Sequence, residues 1–128
     1  MGELAAAVSG WQPLKEPDPA NEWVQRFPIS AQVSFVQRLG YDEDNRLAEW
    51  AVCQCRLGDD GKWQRVAVYD TCHGTAHMHL YNQDDVEFAK RHIASIDSYE
   101  SLAVQLDSAV ADVQNKWREN ERRSNDGR

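Results

Sequence analysis

The chain has 128 residues, of which 41% are hydrophobic and 27% are charged, and this balance indicates one globular domain rather than a disordered chain. The 14 Lys and Arg residues against 21 Asp and Glu residues give a net charge of −7, which disfavours RNA binding by bulk electrostatics but allows a local basic stripe. No apolar run approaches the ~20 residues that cross a bilayer, and residues 4–8 are too short for a signal-peptide core. With three cysteines and no export signal, we expect a cytoplasmic protein that has reduced thiols and does not associate with membranes.

Residues 1–30 are predicted to form an N-terminal arm, because they hold all four prolines of the chain and proline interrupts long regular structure. Asp18 and Pro19 are suited to cap and begin a helix, so a short helix is expected over residues 19–26. The tryptophans of this arm indicate that it packs partly against the domain; a frayed terminus is the alternative.

From residue 31 onward the hydrophobic period becomes two, which is typical of β-strands. Four strands are predicted, over about residues 31–39, 49–57, 62–70 and 76–81. Short turns separate them, so an antiparallel meander is the simplest arrangement. Apolar residues at helical spacing favour a further helix over residues 84–94.

The C-terminal third has the pattern of a long amphipathic helix. Asp97 followed by Glu100 resembles a capping box. Six apolar residues then recur at spacings of three and four: Leu102, Leu106, Ala109, Val110, Val113 and Trp117. These patterns predict an α+β domain over residues 31–123, an antiparallel four-stranded β-meander packed against a long C-terminal α-helix, followed by a frayed tail at 124–128.

Three of the four histidines lie within seven residues, beside an aspartate. If residues 76–81 form a strand, His77 and His79 project from the same face, about 6–7 Å apart at the backbone. Two imidazoles at this spacing can bind one divalent metal ion, with Asp70 or His73 as a third ligand and an open position for water. The metal prediction is therefore His77, His79 and Asp70.

A metal-free alternative uses the same segment. His73, His77 and His79 titrate near neutrality and can act as acid and base around a phosphodiester, with Tyr81 or Tyr69 stacking on the substrate or hydrogen-bonding to it. The candidate catalytic residues are Asp70, His73, His77, His79 and Tyr81. The structural alternative is that the histidines lie on the solvated face of a strand without a function.

Cys53 and Cys55 also share one face of a predicted strand. Together with Cys72 and a histidine they can form a closed zinc site. The spacing differs from the common C-x-x-C pattern, and small thiols are frequent in protein cores, so a structural role is favoured.

The pattern Y-D-x-x-H-G-x-x-H-x-H, with A-x-D-x-x-x-x-W in the last helix, resembles the TumE-like toxins and related small prokaryotic domains. The matching positions are Tyr69, Asp70, His73, Gly74, His77, His79, Ala111, Asp112 and Trp117. The resemblance implies a β-meander with a helix that forms half of a toxin–antitoxin or defence-linked pair, with RNA-directed activity and a cognate antitoxin as partner. Val68 and Met78 stand where such relatives often carry basic residues, which weakens the nuclease interpretation.

Three functions therefore remain open. The first is a toxin-like, RNA-directed hydrolase that acts through the His/Asp group. The second is a non-catalytic protein-interaction domain whose helix and Trp-bearing arm bind a partner. The third is a small metalloprotein in which the histidines hold a divalent metal.

Overall fold

Consecutive strands pair with one another to form an antiparallel sheet whose strand order follows the chain. The computed structural model describes residues 10–127, which form six strands and one helix. The strands are β1 (Glu22–Pro28), β2 (Val33–Tyr41), β3 (Leu47–Leu57), β4 (Trp63–Cys72), β5 (Thr75–Tyr81) and β6 (Glu87–Ser95). The helix α1 (Tyr99–Asp126) packs against β3, β4 and β5. The predicted α+β class with a C-terminal helix on an antiparallel sheet is confirmed, but the predicted number of four strands is wrong.

The first added strand is β1, in place of the short helix predicted over residues 19–26, and that prediction is wrong. β1 pairs with β2 from Glu22 opposite Gly40 to Pro28 opposite Ser34. The aromatic and β-branched residues of β1 suit a strand, and pairing with β2 gives this segment a full ladder of hydrogen bonds. This gain outweighs the weak helix-start signal of Asp18 and Pro19. The segment assigned to the N-terminal arm therefore contributes a strand, and residues 1–9 of that arm lie outside the described residues.

The second added strand is β6, so the helix predicted over residues 84–94 is also wrong. The pairing of β5 with β6 shifts register twice, between Ala76 and His77 and between Leu80 and Tyr81. Each shift adds a residue to β6 and breaks its period-two alternation. The resulting spacing of three and four between apolar residues imitates a helix.

The loops between strands are short because their sequences suit left-handed backbone. Asn45, Gly61 and Asp85 have φ values of 64°, 78° and 60°, a conformation that Gly, Asn and Asp adopt most readily. Such loops bring each strand directly back beside its predecessor. The strands β4, β5 and β6, which carry titratable side chains, are therefore neighbours in the sheet.

One side of α1 forms the wall of the core. Four of the six predicted apolar positions are buried, namely Leu102, Leu106, Ala109 and Val113. The indole Nε1 of Trp50 in β3 donates to the carbonyl of Leu102 at 2.8 Å. Each such buried aliphatic side chain contributes about 1.5–3 kcal/mol to folding.

The two ends of α1 differ from the prediction. The N-cap is Ser98 rather than Asp97, because Ser98 and Ser101 form a reciprocal capping box. The helix continues to Asp126, through the first residues of the predicted tail. Ser124 is buried there, and its hydroxyl donates to the carbonyl of Tyr81, so contact with the sheet holds this end.

Within residues 10–127, no helix is both long enough and apolar enough to cross a membrane.

Substituting Val113 with Asp tests the packing of α1. Val113 is fully buried in the core, and an unpaired carboxylate there should cost at least about 3 kcal/mol and abolish or strongly lower the thermal melting transition. The matched control is Val104→Asp on the same helix, because Val104 is 50% exposed and its variant should melt within a few degrees of the wild type. An unchanged melting temperature for Val113→Asp would contradict this packing.

Candidate functional site

The face of the sheet opposite α1 carries a group of titratable side chains from three adjacent strands. Tyr69 and Met78 are in the core under α1, so the residues that alternate with them in β4 and β5 point to the other face. Residues of β6 paired with β5 complete the group. We call it the open-face cluster, and its members are Asp70, His77, His79, Glu87 and His92.

His79 lies between two carboxylates. Its Nδ1 is 2.7 Å from Oε1 of Glu87, and its Nε2 is 3.0 Å from Oδ1 of Asp70. A neutral imidazole has one N–H and can donate to only one of these oxygens, whereas the imidazolium donates to both. The two carboxylates therefore offer an acceptor to each ring nitrogen of His79.

His77 has the opposite surroundings. Burial lowers the pKa of His77 below its usual value, and the positive charges of Lys90 and His92 lower it further. The hydroxyl of Thr75 donates to the carbonyl of Cys72 at 2.6 Å, so its oxygen can accept a hydrogen bond from His77, whose Nδ1 and Nε2 lie 3.2 and 3.5 Å away. A neutral ring that donates from the nearer nitrogen, Nδ1, leaves Nε2 as a base.

The imidazoles are close enough to act on one group. The ring centroids of His77 and His79 are 6.3 Å apart, and those of His77 and His92 are 5.7 Å apart. His79 contacts two carboxylates whereas the pKa of His77 is lowered, so the two rings have different electrostatic surroundings.

Further cationic and aromatic side chains flank the cluster. Lys90 pairs across from His79. The guanidinium of Arg65 lies 4.0 Å from the ring centroid of Tyr81, and Arg65 also forms a bidentate contact with Asp85 at 3.0 and 3.1 Å. Burial is the main cause that raises the pKa of Tyr81, so the predicted site residue Tyr81 is a neutral stacking surface rather than a proton acceptor.

His73 is the one predicted catalytic residue that the structure places apart from the others. It lies at the turn between β4 and β5, where both His73 and Gly74 have positive φ, 50° and 76°, as a type I′ turn requires. Its side chain lines a separate cavity of about 410 Å³ together with Trp11 and Pro13. The histidine thus contributes to a turn, while Asp70 joins the cluster.

Sequence reasoning missed Glu87 and His92 because it assigned their segment to a helix. A signal was present in the turn at residues 82–85, whose Asn-Gln-Asp-Asp composition resembles the earlier hairpin turns and predicts another strand. Continuing the meander by one strand brings both residues beside β5.

The predicted metal ligands do not form a ligand set. Across residues 10–127, no three His, Cys, Asp or Glu side chains are arranged to hold a metal ion. Asp70 is hydrogen-bonded to His79, and the ring of His77 turns toward Thr75. Cys72 is exposed at the end of β4. The prediction of metal binding at His77, His79 and Asp70 stays a prediction.

Tyr69, Asp112 and Trp117, the other residues of the sequence motif, take part in contacts on the side of the sheet that α1 covers. The hydroxyl of Tyr69 donates to Oδ2 of Asp112 at 2.5 Å and accepts from Nδ2 of Asn120 at 3.2 Å. Asn120 also donates to Gln54 at 3.0 Å, and Gln54 donates to the carbonyl of Trp117 at 2.9 Å. This buried network fixes α1 on β3 and β4, so the side chains of Tyr69 and Asp112 have a structural role, while Trp117 takes part through its backbone carbonyl.

Comparison with known proteins gives one match. The profile of DUF7718, described as a domain of unknown function, matches residues 19–127. No curated protein and no solved structure matches the chain significantly. The relationship to TumE-like toxins therefore stays a prediction from the motif.

The protonation of His77 can be measured directly by NMR titration of its imidazole signals. Because its pKa is lowered, His77 should titrate below pH 6.5 and be neutral at pH 7. At pH values between the lowered pKa of native His77 and 6.5, the usual value in the unfolded chain, the native state binds fewer protons than the unfolded state. The free energy of unfolding should therefore fall as the pH drops through this window.

The matched control is His77→Gln, which should remove this part of the pH dependence. A midpoint for His77 at or above 6.5 would contradict the description of its surroundings.

Proposed function

The chain belongs to the family of DUF7718, a domain of unknown function, and we propose that it cleaves RNA by acid–base catalysis at the open-face cluster. In this proposal the chain is the toxin-like half of a toxin–antitoxin or defence-linked pair. The observation that carries the proposal is the pair His77 and His79, whose ring centroids are 6.3 Å apart on one face, with His79 between two carboxylates and with the pKa of His77 lowered.

The separation of the two rings suits a phosphodiester. A general base and a general acid must each reach their own oxygen at about 2.6–3.2 Å. Two imidazoles on the same face can contact two different oxygens of one phosphate group without changing the backbone. The substrate then lies across β5, which is compatible with an extended strand of nucleic acid on an exposed sheet face.

RNA supplies its own nucleophile. Nε2 of His77 takes the proton of a ribose 2′-hydroxyl, and the 2′-oxygen attacks the adjacent phosphorus. The bond from phosphorus to the 5′-oxygen breaks, and His79 gives a proton to that leaving oxygen. The products are a 2′,3′-cyclic phosphate and a 5′-hydroxyl, and the step leaves His77 protonated and His79 neutral, which is a net proton transfer from His79 to His77.

The two carboxylates have different roles in this mechanism. Glu87 makes the shorter contact with His79, at 2.7 Å to Nδ1, and holds the ring in one orientation throughout. Asp70 makes the longer contact, at 3.0 Å to Nε2, and in this mechanism a bound phosphodiester displaces it. Nε2 of His79 is therefore the nitrogen that delivers the proton.

Val68 and Met78 occupy motif positions where similar proteins often carry basic residues. Cations elsewhere on the open face compensate for the missing positive charge. Met78 is buried under α1, so a basic residue at that position would not face the cluster. Lys90 pairs with His79 and supplies a positive charge for the phosphate. Arg65 stacks on Tyr81 and offers a guanidinium plane for a base. Local cations thus support binding despite the net charge of −7.

Substitution of the two imidazoles tests the proposal. His77→Gln and His79→Gln should each lower the rate of cleavage of a quenched fluorescent RNA by about 10²–10⁴-fold, because each removes a proton-transfer group. Both variants should also lose inhibition of growth on expression in a bacterial host.

The matched control is His73→Asn, which removes an imidazole outside the cluster and keeps a residue that tolerates positive φ. It should retain at least roughly half of the wild-type rate. Full activity of folded His77→Gln and His79→Gln, with melting temperatures equal to the wild type, would overturn the proposal.

Binding of a protein partner at β1 is a second candidate function. β1 is the first strand of the sheet, and its Trp23 and Val24 are 40% and 57% exposed. An exposed edge strand with apolar side chains can accept a strand from another protein, such as an antitoxin.

Val24→Lys should weaken a complex with the product of an adjacent gene by at least tenfold, because it places a charge on the apolar edge. Val104→Lys on α1, where the valine is 50% exposed, should leave the affinity unchanged. Equal affinity of the two variants, measured by calorimetry, would exclude this edge as the interface.

A further inference from the structure

Cys53 and Cys55 bring their sulfurs unusually close for alternate residues of a strand. Alternate residues are separated by about 6.5 Å along a strand, but the two Sγ atoms are only 3.5 Å apart. The register between β3 and β4 shifts between Gln54 and Cys55 because β4 has an extra residue there, Val66. The two thiols are in contact beside this bulge, on the open face.

The surroundings of the two sulfurs favour a thiolate on Cys55 and a protonated thiol on Cys53. A hydrogen bond from the Cys53 thiol, together with the guanidinium of Arg26, lowers the pKa of Cys55 to about 7. The same hydrogen bond and burial raise the pKa of Cys53. The positive charge of Arg65 adds to the stabilisation of the Cys55 thiolate.

We propose that Cys53 and Cys55 form a peroxide-reactive dithiol that closes to a disulfide within β3. The two sulfurs are in contact, Arg26 and Arg65 act on Cys55, and Cys53 is partly exposed. Cys55 is buried, which favours a small oxidant such as hydrogen peroxide over a bulky disulfide. The proposal is independent of RNA cleavage at the histidines.

The chemistry balances with one peroxide for two thiols. The Cys55 thiolate attacks one peroxide oxygen, the O–O bond breaks, and the released hydroxide takes up a proton to become water, leaving a sulfenic acid on Cys55. The Cys53 sulfur then attacks the Cys55 sulfur, and the sulfenic oxygen leaves as a second water with the Cys53 proton. Both sulfurs are oxidised by one electron each as the peroxide is reduced. The sulfurs must approach by roughly 1.5 Å to reach disulfide bond length.

Cys72 is exposed and reacts separately, so the test uses the full chain with Cys72→Ser. After one equivalent of hydrogen peroxide and alkylation with N-ethylmaleimide, intact mass should show a loss of two hydrogens and no alkylated thiol. Treatment with a reductant should restore two alkylation sites. At pH 7 the native chain should be oxidised roughly tenfold faster than the same chain in denaturant, because an ordinary thiol is mostly protonated at this pH.

The single-thiol variants separate the two roles. With Cys53→Ser added, Cys55 should still oxidise rapidly but should stop at a sulfenic acid that dimedone traps. With Cys55→Ser added, Cys53 should react at least about tenfold more slowly. Arg26→Gln should slow the oxidation of Cys55 at pH 7 but not at pH 10, where the thiol ionises without help.

Two free thiols after peroxide treatment of the native Cys72→Ser chain would overturn the proposal, as would equal oxidation rates in its native and denatured states. Equal rates for the Cys53→Ser and Cys55→Ser variants would overturn the assignment of Cys55 as the attacking sulfur. The comparison of native and denatured chains remains decisive if either variant fails to fold.

Discussion

The packing of α1 across β3, β4 and β5 decides which side of each strand becomes core, and the candidate chemistry depends on that choice. Because Tyr69 and Met78 pack under the helix, the alternation of the strands sends Asp70, His77 and His79 to the open face. The hydrogen bonds that Tyr69 makes with the helix hold this arrangement in place. A shift of one residue in register would exchange the two faces and bury the imidazoles.

The open face carries two pairs of closely placed reactive side chains. His79 lies between two carboxylates, while burial and positive charge lower the pKa of the neighbouring His77. The thiols of Cys53 and Cys55 share a hydrogen bond, and arginines favour the thiolate on one side. Cys53 and His79 both pair with Val68 of β4, so two strand spacings of about 4.8 Å separate the pairs across the sheet.

Sequence patterns predicted the parts of the fold that follow a regular period. The strands from residue 31 to residue 81 and the apolar stripe of α1 have clear periods of two and 3.6, and the structure contains both. The pairing of His77 with His79 on one face followed from the same period. β6 was missed because two bulges disrupt its alternation, and β1 was missed because its stability comes from pairing with β2 rather than from local preference.

The same reasons limited the prediction of the site. Glu87 reaches His79 only because β6 lies beside β5, so a residue assigned to a helix could not be connected with the histidines. His73 was included because it is near in sequence, whereas a two-residue turn directs it elsewhere.

The most direct test of the account is to incubate the chain, in the presence of a chelator, with RNA and DNA oligonucleotides of the same sequence and to identify the product ends by ³¹P NMR. The account predicts cleavage of the RNA alone with 2′,3′-cyclic phosphate ends, and it is contradicted if neither oligonucleotide is cleaved or if both are cleaved equally.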